Sequence, residues 1–191
     1  MLSHRPPALS TRQWAPRAAR LISVAAHPLV LSPLTAALAS RDWRWTAIVA
    51  ASTILPVAAV ILWNMRRGVW SDFDVSSREQ RSGLYWVALP LFAAAALLIP
   101  APPWFSRSML ALLVVLAVAL AADRFLKTSL HMLFASFCTV VLWEVHPWSA
   151  AVMLPLLAAL AWARWRLGHH TPAELAAGTF LGTAASLYLV L

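Results

Sequence analysis

Long apolar runs separated by short basic connections constrain this chain more than any other feature. Apolar residues that follow one another, instead of recurring on one face, belong to helices surrounded by lipid. Hydrophobic residues make up 61% of the 191 and charged residues only 12%, too little charge to cover a soluble domain of this size. Ala and Leu dominate the runs, which favours helices over barrel strands. The expected fold is therefore all-α, a multi-pass transmembrane helical bundle of six or seven helices.

A span needs ~20 apolar residues, fewer where aromatics or arginines anchor its ends. Seven segments qualify, at 21–39, 46–64, 83–99, 107–122, 129–143, 149–164 and 174–191. Pro56, Pro90 and Pro155 fall inside them, tolerable in membrane helices as kinks. Tryptophans gather near segment ends, among them Trp43, Trp45, Trp63, Trp104, Trp143 and Trp148, as at a membrane–water interface. Residues 1–20 are basic and broken by proline and read as a tail; 21–191 read as one helical domain. No small-residue cleavage site follows the first apolar run, so a retained helix is expected there.

Net charge is +8. Because the cations lie between apolar runs, anionic lipid head groups and phosphorylated substrates suit them better than nucleic acid. Seven spans put the amino terminus and the 65–82, 123–128 and 165–173 connections on one face, which carries twelve cations against three (Arg41, Arg44 and Arg107) on the other. Setting aside Arg78, Arg81, Lys127 and Arg164 as ligand candidates leaves eight against three, and the positive-inside rule makes that face cytoplasmic in the cell (inner) membrane. The single cysteine, Cys138, lies in an apolar run and reads as a small buried hydrophobe.

The same face collects the chemistry. His131, His169 and His170, with Asp72, Asp74, Asp123 and Glu174, fall in loops near 65–82, 123–131 and 163–174. Ionisable groups at membrane depth are functional candidates. His27 and His146 read as interfacial residues. Cations that neutralise a phosphate, helix amino termini that present N–H groups, a nucleophilic imidazole oriented by a carboxylate and a second imidazole as acid together suit phosphoryl transfer from a lipid.

The stretch Ala163-Arg164-Trp165-Arg166-Leu167-Gly168-His169-His170-Thr171-Pro172-Ala173-Glu174 resembles the third signature of the type 2 phosphatidic acid phosphatase superfamily, S-R-x-x-x-x-x-H-x-x-x-D. Arg164, His170 and Glu174 keep its spacing, with Ala163 for Ser and Glu174 for Asp. Lys127-Thr128-Ser129-Leu130-His131 is similar to the second signature, P-S-G-H, retaining Ser129 and His131. The first signature, K-x-x-x-x-x-x-R-P, keeps only Arg81, with Asp74 at the Lys position and Lys127 available from the neighbouring loop. The resemblance spans about residues 65–191 and implies a lipid phosphate phosphatase. It implies His170 as nucleophile, Glu174 as its orienter, His131 as acid, and Arg164, Lys127, Ser129, Arg78 and Arg81 around the phosphate, with no metal or other cofactor.

Other roles stay open for several of these residues. Thr171-Pro172-Ala173-Glu174 is also a capping box, which alone would account for Glu174. Ser129 reads equally as a helix cap. Lys127 and Arg124 fit snorkelling anchors. Asp72 and Asp74 either pair with arginines or hold a divalent metal on a diphosphate, as in a metal-dependent lipid phosphate transferase. A non-catalytic relative that binds or moves phospholipids is the third class.

Overall fold

The computed structural model describes residues 11–190, and every regular element among them is helical. The helices are α1 (Thr11–Ala25), α2 (Pro28–Ser40), α3 (Trp43–Val49), α4 (Leu55–Arg66), α5 (Arg78–Leu98), α6 (Pro103–Ala122), α7 (Leu130–Val145), α8 (Ala150–Arg166) and α9 (Pro172–Val190). Trp43–Arg66, Arg78–Leu98, Pro103–Ala122 and Pro147–Arg166 are long and apolar enough to cross a membrane, and the α1–α2 pair makes a fifth candidate if counted as one bent span. Polar side chains such as Ser23, Thr35, Thr53, Ser136 and Arg164 are buried, while Leu55, Leu97, Leu98, Val114 and Phe180 are exposed. That inversion is how a bundle solvated by lipid looks.

Four or five candidate spans stand among the described residues against the six or seven expected, and three segments differ in form from the sequence expectation. The expected first span, 21–39, is broken at His27 and bends by 47°, because the residue before Pro28 is pushed out of the helical region and takes φ −66°, ψ 142°. The basic segment expected as a tail is helical from Thr11, and α1 packs on α8 with Ala19 fully buried; residues 1–10 lie outside the described part. The expected 46–64 span is α3 and α4 joined by a π-helical turn at Ala50–Ile54. Pro56 offers no N–H and its ring crowds the preceding turn, so Leu55 N–H reaches back to Ala50 O. Ser52 and Thr53 hydroxyls bond the Ile48 and Val49 carbonyls there.

Helix α7 is the centre of the bundle, buried at every position from His131 to Thr139. It runs parallel to α9, both amino termini lying at the same end. Gly178 and Gly182 allow the contact: a Cβ on Gly182 would overlap the Leu133 carbonyl and Ser136 hydroxyl, and one on Gly178 the Ser129 carbonyl. This is close helix packing through small residues. Ser136 Oγ donates to Thr179 O at 3.1 Å across the same seam. At the opposite end, Trp45 packs against Trp104 and Phe105.

Candidate functional site

The α8–α9 connection is built from local hydrogen bonds. Gly168 takes φ 71°, Gly168 N–H bonds Trp165 O at 2.9 Å, and His169 N–H bonds Arg164 O at 3.1 Å. This Schellman ending needs a residue that tolerates the left-handed region and turns His169 and His170 back over the end of α8. The capping box also forms: Glu174 N–H donates to Thr171 Oγ1 at 3.4 Å, and Thr171 N–H donates to Glu174 Oε2 at 3.0 Å. The same carboxylate oxygen stands 3.2 Å from His170 Nδ1. Burial, then the charges of Arg164, Arg81 and Lys127, press the His170 pKa down to about 2, so the ring is neutral. With Nδ1–H toward Glu174, Nε2 carries the free lone pair.

Cations surround this ring. Arg81 is buried, donates from Nη2 to Thr128 O at 2.5 Å, and leaves Nη1 without a hydrogen-bond partner among the described residues. Lys127 Nζ donates to His169 O at 2.9 Å; burial, reinforced by Arg81, lowers its pKa. His131, on the first turn of α7, is buried, and its Nε2 has no hydrogen-bond partner among the described residues. Arg164 is 1% exposed and forms an ion pair with Asp74, while also donating to Ser23 Oγ at 2.8 Å.

Asp74 gathers more than Arg164. Its Oδ1 stands 3.6 Å from His27 Nε2 and 3.7 Å from His131 Nε2, and its Oδ2 3.7 Å from His169 Nδ1. The carboxylate is aimed there by a strained turn: Val75, β-branched and 1% exposed, has φ 46°. Beside it lies a narrow apolar cavity of about 80 Å³, with His27, Asp74 and His131 among its lining residues.

Three of the expected residues are held by other partners in this geometry. Arg78 is turned outward, donating to Arg124 O at 3.2 Å beside an exposed groove with Trp86 and Phe125. Ser129 is fully buried; its hydroxyl oxygen accepts Met132 N–H at the start of α7 and its N–H bonds Glu174 O at 3.2 Å, the capping arrangement. Asp72 does not join Asp74 as a metal-binding pair. Its oxygens accept Ser71 Oγ at 2.8 Å, Ser76 N–H at 3.1 Å and Ser76 Oγ at 2.6 Å; burial raises its pKa, but these bonds outweigh that and hold it low.

His27, Asp74 and His131 have ligand atoms within 4.8 Å of one another, yet they fit a metal poorly. His27 Nδ1 accepts the Leu29 N–H at 3.1 Å, so the neutral ring carries its hydrogen on Nε2, the atom that would have to bind. Asp74 is already neutralised by Arg164. The sequence reading missed His27 at this site; the His-Pro step inside an apolar run was the available signal of a helix break.

Comparison with protein-family models, curated proteins and solved structures returned no match. The residues define a helical membrane protein with a buried polyhistidine, arginine-rich site at one end of the bundle.

Proposed function

We propose that the protein is a membrane-embedded phosphatase that hydrolyses a lipid phosphate or polyprenyl (di)phosphate through a phosphohistidine. One observation supports this above the others: His170 is neutral, held at Nδ1 by Glu174, and surrounded by Arg81, Lys127 and Arg164. A neutral imidazole fixed on one nitrogen is a nucleophile at the other, and the cations suit a phosphate in front of it. His170 Nε2 attacks phosphorus, the bond from phosphorus to the lipid oxygen breaks, and His131 gives that oxygen its proton. Water then attacks the phosphohistidine and gives its proton to the now neutral His131; the phosphorus–nitrogen bond breaks, inorganic phosphate leaves, and both imidazoles return to their starting states. The amino termini of α7 and α9 both open toward the site and favour the anion. The charge asymmetry of the loops favours a cytoplasmic site.

The Asp74–Arg164 pair favours a second reading, a relative that binds lipid phosphates without turning them over. Phosphate release from a panel of lipid phosphates and diphosphates, with purified protein and chelator present, separates the two. Turnover that His170→Ala abolishes supports the hydrolase. No release from any substrate, or wild-type release by the variant, overturns it. Activity lost in His169→Ala but kept in His170→Ala moves the nucleophile by one residue.

A further inference from the structure

We propose that His27, His131, His169 and Arg164 form an anion seat that Asp74 occupies in the resting protein, and that the phosphate of a lipid ligand displaces Asp74 to bind. The inference rests on the phosphate reading above, because it takes the displacing anion to be a phosphate.

The donors converge from separate places: the α1–α2 break, the first turn of α7, the end of α8 and the α8–α9 loop. Arg164 reaches Oδ2 of Asp74 directly, but the three imidazole nitrogens stand 3.6, 3.7 and 3.7 Å away. Those distances exceed hydrogen-bonding range, about 2.7–3.2 Å. His131 Nε2 and His169 Nδ1 are buried with no hydrogen-bond partner among the described residues. A planar carboxylate therefore underfills the seat. A tetrahedral phosphate brings three terminal oxygens and more charge to the same donors.

The occupant is also poised to leave. Asp74 and His169 side chains are 20% and 28% exposed, whereas those of His27, His131 and Arg164 are 9%, 5% and 1%. Ligand thus enters from the side on which Asp74 stands. Val75, next to it, holds a backbone conformation that a β-branched residue adopts only under constraint. Asp72 and its serine partners anchor the same loop on the other side of Asp74, so Asp74 can swing without unravelling it.

The cavity beside Asp74 indicates the kind of lipid. Its lining holds His27, Asp74 and His131 together with the apolar Val57, Phe92 and Leu116. A phosphate in the seat points its ester oxygen toward apolar space inside the bundle. A single hydrocarbon chain attached to that phosphate is the occupant that satisfies both parts.

The test reads binding rather than turnover, by thermal unfolding in neutral detergent with inorganic phosphate or dodecyl phosphate added, and sodium chloride matching ionic strength. Removing Asp74 leaves Arg164 buried without its partner, so Asp74→Asn should melt lower than wild type and recover with phosphate. Half-saturation by either phosphate should fall about tenfold, because no resident carboxylate has to be displaced. Dodecyl phosphate should bind tighter than inorganic phosphate, while dodecanol should have no effect; equal binding by the two phosphates removes the cavity's part in the proposal. Asp74→Glu, which keeps the charge and fills the seat further, should bind phosphate more weakly than wild type. Wild-type phosphate affinity in Asp74→Asn or Asp74→Glu overturns the seat. Tighter binding in Asp74→Asn without hydrolysis of any lipid phosphate by wild type upholds the seat and removes the phosphatase reading. Hydrolysis by wild type with no gain in binding does the reverse.

Discussion

His170 Nδ1 and Thr171 N–H share one oxygen of Glu174, at 3.2 and 3.0 Å. Capping and imidazole orientation, which the sequence leaves as alternatives, are thus geometrically one arrangement. The cap starts α9, and α9 carries the carboxylate to the ring.

Under the hydrolase reading, Glu174→Gln should retain much of the cap, since its amide oxygen still accepts Thr171 N–H, yet lose about tenfold to a hundredfold in rate, the usual effect of removing a carboxylate that orients a working imidazole. Glu174→Asp should be active with a weaker cap. Steady-state phosphate release alongside thermal unfolding checks both. A Gln variant with wild-type rate leaves Glu174 as a cap only.

Acid should destabilise the fold through His170. Unfolded, its imidazole takes a proton near the usual 6.5; folded, burial and then Arg164 hold it neutral down to about 2. Its contribution to stability is therefore complete above pH 6.5 and is lost as pH falls below it, by up to about 1.4 kcal/mol per pH unit. Burial and Arg164 shift His169 in the same direction. Melting midpoints between about pH 7 and pH 5 should drop in wild type and drop less in His170→Asn. A midpoint that rises on acidification contradicts the buried neutral ring.

The α7–α9 seam should not tolerate a methyl group. Gly182→Ala would push against the Leu133 carbonyl and Ser136 hydroxyl, an overpacking cost of about 1–3 kcal/mol or more. Gly178→Ala should also shift Ser129 and with it the Glu174 backbone contact. Phe180→Leu, on the exposed face of α9, should change stability by less than about 0.5 kcal/mol. Thermal unfolding of the three variants in one detergent makes the comparison.

Membrane orientation is open to direct labelling. Cysteines introduced at Ser76 and Thr171 should react with impermeant reagent only from the cytoplasmic side, and one at Trp104 only from the other. The native Cys138 is buried and should give little background. Labelling of Ser76 and Thr171 from outside intact cells would invert the orientation and assign the cation excess to ligand binding.

The sequence by itself determined the helical membrane character and the whole of the α8–α9 connection. Continuous apolar runs in a chain this poor in charge leave lipid as the only solvent, and the Gly168 ending and Thr171–Glu174 cap are made by bonds between residues at most five positions apart. Only the tertiary structure decided where Asp74, His27, Arg78 and Ser129 stand. Asp74 reads as a partner for a nearby arginine or as a metal ligand until the α4–α5 loop folds onto Arg164, 90 residues away. His27 reads as interfacial until the Pro28 break turns it inward against His131, with ring centroids 4.8 Å apart. Arg78 and Arg81 lie less than one helical turn apart, yet one faces outward and the other is buried, because the facing of a helix is set by what packs on it. Ser129 is buried at the start of α7 where Gly178 lets α9 approach its carbonyl closely. Local hydrogen bonds are written in short spacings; which side chains share a buried site depends on the packing of helices distant in sequence, which spacing does not encode.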